Sequence, residues 1–366
     1  MATEAFNTSF TGYNSTRNDS NTTLTANYGV GPIGSEDIKL IATIFFSVIS
    51  ALGVTGNLLV IITLIRWREM RTPCNYLIAN ISAADLIVTL MLSPLRVVEQ
   101  YTRGWIFGEV LCYVFAPLQD ALVSVSVFTF TAIALERYRA IIHPFKPKLN
   151  KSQVKVLIAL IWVFCYSGTG LPLAFFVTYA KKGQGYLCFA AIPKDCFYIF
   201  ALYLVIVFIT LPLLLQMVCY GRVICALKAK DAIQKHDNSD SLVQREVSRQ
   251  RLDKRRRLVK MLIVLMAVFH VCYVPRGVIM LITEFAPFLR HSIAFAFADI
   301  STMLLYYIKH IMNPIILCWM SADFRGCFAG VCCCGQRKEH ARMGSERIRL
   351  TSAVKDKSAD SEQSKL

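Results

Sequence analysis

Charge is scarce in this chain, and negative charge scarcer still. Asp, Glu, Lys and Arg make up 17% of its 366 residues, whereas 55% are hydrophobic and the mean hydropathy is +0.47. A soluble globule cannot hide that much apolar surface; a bilayer can, because lipid replaces the missing polar shell. Residues 1–35 contain no apolar run, so no cleaved signal peptide is expected. No internal repeat and no catalytic motif is visible, so the sequence implies neither an enzyme nor a cofactor. The acidic side chains number 24 against 40 basic ones, a net charge of +16. That excess has a topological reading rather than a nucleic-acid one.

Seven long apolar stretches are present, at roughly 39–65, 75–98, 109–140, 155–179, 197–226, 258–284 and 291–319. About 20 apolar residues cross the hydrocarbon core. Each span must be helical, since backbone N–H and C=O groups find no water there. The expected fold is an all-α membrane protein, a seven-helix bundle. Arg66, Arg68 and Arg71 follow the first span, and Arg139, Lys146, Lys148 and Lys151 the third. Lys228, Lys230, Arg245, Arg249, Arg251 and the run Lys254-Arg255-Arg256-Arg257 follow the fifth, and Arg337, Lys338 and Arg342 the last. The positive-inside rule then puts the N-terminus outside and the C-terminus inside.

The expected parts are an N-terminal tail (1–37), the membrane domain (38–320), a short amphipathic helix with an acylation site (321–334) and a charged tail of disordered composition (335–366). Sequons at Asn7, Asn14, Asn18 and Asn21 predict glycosylation of an extracellular tail. Asn80 and Asn150 match the pattern too, but one lies in a span and the other inside. Cys112 has two candidate disulfide partners at extracellular positions, Cys188 and Cys196. Cys332, Cys333 and Cys334 sit inside beside basic residues, which favours palmitoylation. A zinc site is the rival reading, with poor ligand spacing.

One residue type at each depth now carries a resemblance. Gly56-Asn57 lies in the first span, Asn80 with Ala84-Asp85 in the second, and Cys112 with Glu136-Arg137-Tyr138 in the third. Trp162, Pro212 with Tyr220, Phe269 with Cys272 and Pro275, and Asn313-Pro314 follow in the remaining four. In this order they resemble the rhodopsin-like G-protein-coupled receptors, over about residues 38–334. The resemblance implies an extracellular ligand, a heterotrimeric G protein, and arrestin and receptor kinase as further partners. Arg137 lies about 27 Å below Gln119 along one helix, at about 1.5 Å per residue, so one span joins an outer cavity to an inner switch. Glu136 can hold the guanidinium until a rearrangement frees it. Pro275 removes a helical hydrogen bond and lets the inner end of the sixth helix swing. In the family it resembles, that swing opens a groove for a helix of the G protein.

Three positions depart from the family pattern. Tyr273 stands where relatives carry Trp, and Leu317 where they carry a Tyr that turns toward the residue here numbered Tyr220. Lys309-His310 replace small or polar residues that in relatives help line a sodium site with the second-span Asp. A lysine in hydrocarbon demands a partner, and an Asp85–Lys309 ion pair that replaces the bound sodium is the expectation.

Gln119 stands where amine receptors carry Asp, and Asp120 lies about 100° further round the helix. Gln there resembles the neuropeptide receptors. Arg276, one residue outward of Pro275, either meets an anionic ligand group or pairs with Asp120. Tyr273, Tyr307, Asp299 and Glu99, with Arg96 and Tyr306, complete the expected ligand-binding set. Tyr307 occupies the position of the opsin Schiff-base lysine, which argues against an opsin, and the lack of a repeat argues against a transporter. Phe324 and Phe328 of the amphipathic segment are expected to face the bilayer. The ending Ser364-Lys365-Leu366 resembles a PDZ-domain ligand; its literal reading as a peroxisomal address conflicts with a polytopic surface protein.

Overall fold

A computed structural model describes residues 35–332, apart from 103, 148, 183–184, 237–241, 287 and 290–291. The sequons at Asn7, Asn14, Asn18 and Asn21, the cysteines Cys333 and Cys334, and the ending at 364–366 lie outside the described residues. So do the side chains of Arg96, Glu99 and Cys332.

Seven helices are long and apolar enough to cross a membrane. Helix α1 is Ser35–Arg66; α2 runs over 73–102, α3 is Gly108–Ile142 and α4 is Lys151–Ala174. An antiparallel hairpin of β1 (Val177–Lys182) and β2 (Gly185–Ala190) follows. Helix α5 covers 194–236, α6 is Leu242–Phe285, α7 is Ile293–Met320, and a short α8 is Ala322–Cys332. Two boundaries differ from expectation. The fourth span was expected to reach 179, but its apolar tail leaves the helix at Ala174 and enters β1. The sixth was expected from 258, but α6 starts at Leu242, so its basic inner end is helix rather than loop.

Local chemistry explains the breaks. Thr72 accepts from the Asn75 N–H at 3.3 Å and Pro73 opens α2. Asn150 and Gln153 form a reciprocal capping box at the start of α4. Wide π turns interrupt α2 at Val88–Leu92, α4 at Tyr166–Gly170 and α5 at Leu204–Thr210. Each ends two residues before a proline: Pro94, Pro172 and Pro212. A proline ring collides with the carbonyl one turn back, and a wider turn relieves the collision.

Helix α3 is the axis of the bundle: 65% of its span is enclosed by protein, against 17% for α5. The outer face of α5, with Leu211, Leu214, Met217 and Val218 exposed, presents side chains that suit lipid. Buried Asn80 donates to Thr129 at 2.8 Å and accepts from the Trp162 indole at 2.9 Å, joining α2, α3 and α4. Gln216, wholly buried on α5, donates to Thr131 of α3 at 2.8 Å. At Gly56 an added Cβ would lie 2.9 Å from Pro314 ring carbons, so α1 meets α7 only because no side chain intervenes. Both interior sequons thus have structural work, Asn80 as a three-helix tie and Asn150 as a cap.

Helix α8 packs under α1 and α7. Phe324 and Phe328 are buried there, their ring centroids 5.9 Å apart, which corrects the expectation that they face the bilayer. Arg325 donates to the Cys318 and Trp319 carbonyls and closes the end of α7. Cys327 is buried as well; burial, with smaller effects of Asp323 and Glu69, pushes its thiol up to about 11. It is therefore a poor nucleophile for acylation.

Candidate functional site

The functional residues form a polar and aromatic column through the bundle in three storeys. In the outer storey, Gln119 is buried and hydrogen-bonded to Tyr306. Asp120 is half-buried and within electrostatic range of Tyr273 and Tyr306. The Tyr273 and Tyr306 ring centroids are 6.5 Å apart, bringing α6 and α7 together around α3. Tyr307 turns to the other side and packs edge-on against Phe46 of α1 at 4.8 Å. Arg276 is buried and pairs with Asp299 of α7, and its Nη1 also donates to the Asp299 carbonyl at 3.3 Å. The expected alternative partner, Asp120, is therefore replaced. Two members of the expected ligand set hold each other and tie α6 to α7.

The hairpin caps this end. Cys188 on β2 is disulfide-bonded to Cys112 on α3, and the rival Cys196 is an exposed free thiol. The Trp105 backbone donates to the Tyr186 carbonyl at 2.7 Å, and Tyr179 stacks on Tyr186 with centroids 4.7 Å apart. These contacts fix the hairpin over the start of α3.

In the middle storey, Asp85, Lys309 and His310 are each 2% exposed. Asp85 Oδ1 accepts from His310 Nδ1 at 2.6 Å, and Oδ2 accepts from Asn313 Nδ2 at 2.7 Å. Lys309 Nζ lies 3.4 Å from His310 Nδ1, over the rings of Phe269 at 5.1 Å and Tyr306 at 5.2 Å. Among the described residues Lys309 makes no ion pair. The expected direct Asp85–Lys309 pair is thus corrected: His310 takes the carboxylate, and the ammonium rests on aromatic faces. His310 as the partner was missed by sequence reasoning. Its signal was the spacing, since His310 and Asn313 are three residues apart on one helical face. Asn57 donates to the Gly53 and His310 carbonyls, both at 2.9 Å, and locks α1 to this storey.

In the inner storey, Glu136 and Arg137 form an ion pair at the end of α3. Arg137 is within electrostatic range of Tyr220 on α5 and Cys74 on α2. The Tyr220 hydroxyl is buried without a hydrogen-bond partner among the described residues, and Leu317 opposite is fully buried. Tyr138 turns away to meet His143 edge-on at 5.7 Å. At the inner end of α6, Arg256 donates to the Leu227 carbonyl of α5 at 3.3 Å. Arg256 pairs with Asp231 of α5 at 3.0 Å, and Lys254 with Asp323 of α8 at 3.5 Å. Lys230 of α5 donates to the Ile141 carbonyl of α3 at 3.0 Å.

The seven-helix bundle carries a hairpin over its outer end, a buried polar middle and a Glu136–Arg137 ion pair near its inner end. The profile described as 7 transmembrane receptor (rhodopsin family) matches residues 56–317, and the chain belongs to that family. Similar relatives include the Neuromedin-U receptor 2 of Rattus norvegicus, 28% identical over 81% of this chain and 76% of the relative. The Tachykinin-like peptides receptor 86C of Drosophila melanogaster is 25% identical over 86% of this chain, which spans 63% of that longer relative. The QRFP-like peptide receptor of Branchiostoma floridae is 26% identical over 80% of this chain and 77% of the relative.

Proposed function

We propose that this receptor binds an extracellular neuropeptide and activates a heterotrimeric G protein, acting as an exchange-promoting receptor rather than an enzyme. The observation that carries the reading is that α3 bears Gln119 among the outer tyrosines and the Glu136–Arg137 pair at its inner end. A ligand pressing on Tyr273 and Tyr306 acts on α6 and α7, while Arg137 at the other end of α3 lies within electrostatic range of Tyr220 on α5 and Cys74 on α2. The relatives, which include a tachykinin-like peptides receptor and a QRFP-like peptide receptor, support a peptide as the ligand class. A polar, aromatic cavity also suits a peptide better than a lipid.

The rest of the reading follows from charge and composition. The protein sits in the plasma membrane with its N-terminus outside, glycosylated at Asn7, Asn14, Asn18 and Asn21. Palmitoyl chains on Cys332, Cys333 and Cys334 anchor the end of α8 to membrane lipid. Phosphorylation of the serine- and threonine-bearing tail by a receptor kinase recruits arrestin, and the ending at 364–366 adds a strand to a PDZ domain.

The test is surface expression with a promiscuous G-protein reporter and a library of neuropeptides and amines. A peptide response that disappears in Arg137→Ala, with surface level retained, is expected. An amine response, or a peptide response untouched by Arg137→Ala, contradicts the reading.

A further inference from the structure

The family resemblance implies a sodium ion beside the second-span aspartate, and the donors around Asp85 do not fit one. Sodium is a hard cation that needs oxygen ligands with lone pairs to give. Each carboxylate oxygen of Asp85 already accepts a short hydrogen bond from a nitrogen donor, His310 Nδ1 at 2.6 Å and Asn313 Nδ2 at 2.7 Å. The Asn57 amide nitrogen donates to two backbone carbonyls, and its Oδ1, buried with no partner among the described residues, is one lone neutral oxygen rather than a ligand set. The next group outward is a cation, Lys309, with Nζ 3.4 Å from His310 Nδ1.

The hydrogen bonds fix the imidazole. Nδ1 carries the proton it gives to Asp85, so it has no lone pair for Lys309. Nε2 is buried with no partner among the described residues, which an unprotonated nitrogen tolerates better than an N–H would. The ammonium therefore rests on Phe269 and Tyr306 and acts on Asp85 through space, across the imidazole. The cluster holds one carboxylate and one ammonium, and its charge is balanced. A sodium ion added here would meet a cation in a low-dielectric interior, where repulsion is far stronger than in water.

We propose that Lys309 and His310 form a built-in counter-ion that closes the Asp85 site to sodium, so the resting receptor is indifferent to external monovalent cations. This goes beyond the ligand reading and does not depend on it. Tyr306 covers Lys309 and bonds Gln119, so the counter-ion lies directly under the outer storey.

The test needs no ligand. The full-length receptor is purified in detergent and its Tm is measured in NaCl against choline chloride at constant ionic strength. The wild type is expected to show the same Tm in both salts. A sodium-selective rise in the wild type that Asp85→Asn abolishes overturns the proposal; a rise that persists in Asp85→Asn arises elsewhere and leaves the site closed. The variant Lys309→Asn/His310→Ser, which replaces the ammonium and the neutral imidazole with oxygen-bearing side chains, is expected to gain a sodium-selective rise. At about tenfold above the ion's Kd that rise is about 3 °C, and adding Asp85→Asn should remove it. A folded variant with no gain shows that these two side chains are not what excludes the ion. If the variant does not fold, the wild-type titration alone decides.

Discussion

Two ion pairs, one buried and one half-buried, stand at opposite ends of the bundle, and they differ in what they join. Arg276–Asp299 links α6 to α7 at the outer end. Glu136–Arg137 links two neighbours on one helix at the inner end. The first cannot open without separating two helices. The second opens by a side-chain movement that leaves α3 where it is. The same asymmetry runs along α6. Above Pro275 the helix is clamped by a buried pair; below it the polar ties include half-buried Arg256, which pairs with Asp231 and donates to the Leu227 carbonyl, and the exposed Lys254–Asp323 pair. Charge pairs in protein resist far more than charge pairs in water. The sixth helix is therefore held more firmly at its outer end than at its inner end.

The comparison breaks most severely at the clamp. Removing one partner of a buried pair leaves an uncompensated charge and costs about 3–5 kcal/mol. Asp299→Ala should therefore lower the Tm of the purified receptor by several degrees and reduce its surface level. Arg276→Asp/Asp299→Arg should recover part of the loss, whereas a pure ligand contact at Arg276 would show no such rescue.

The inner pair should behave differently. Glu136→Gln loosens a charge-assisted hydrogen bond worth about 1.5–3 kcal/mol, so ligand-free signal should rise about tenfold or more. Arg137→Ala should silence signalling in either background. Neither change should lower Tm as far as Asp299→Ala. A Glu136→Gln variant as unstable as Asp299→Ala would show that the inner pair is a structural clamp as well.

The smallest effect is expected at the inner ties of α6. Lys254→Ala and Arg256→Ala should each change stability by at most about 1 kcal/mol, within a few degrees of Tm. Their combination should still raise basal signal modestly, because together they hold the inner end of α6.

Much of this was legible in the sequence. Seven apolar runs too long for a soluble core, one family mark per run and a basic inner side were enough for the spans and their order. The losses have physical causes. Apolar character continues past Ala174 into Val177, Thr178 and Tyr179, so hydrophobicity alone could not see the helix give way to a strand. Phe324 and Phe328 sit on an apolar face, but a bundle and a bilayer are equally apolar, and the pattern does not say which one they meet. Asp85 had Lys309, His310 and Asn313 within reach, and only helix rotation selects among them. Arg276 had two acidic candidates on different helices, and the sequence carries no measure of which helix turns its carboxylate inward.

The central claim is that α6 is held more firmly at its outer end than at its inner end, with the Glu136–Arg137 pair holding the closed state. The most direct test is pulsed electron paramagnetic resonance on spin-labelled receptor, with the exposed native Cys196 and Cys225 replaced. Labels at Arg255 and Lys155 report the inner ends of α6 and α4, and labels at Phe285 and Val110 report the outer ends of α6 and α3; all four positions are exposed. In Glu136→Gln the inner pair should gain a second, longer distance while the outer pair keeps the wild-type distribution. Unchanged inner distances, or outer distances that move as much as the inner ones, would contradict the account.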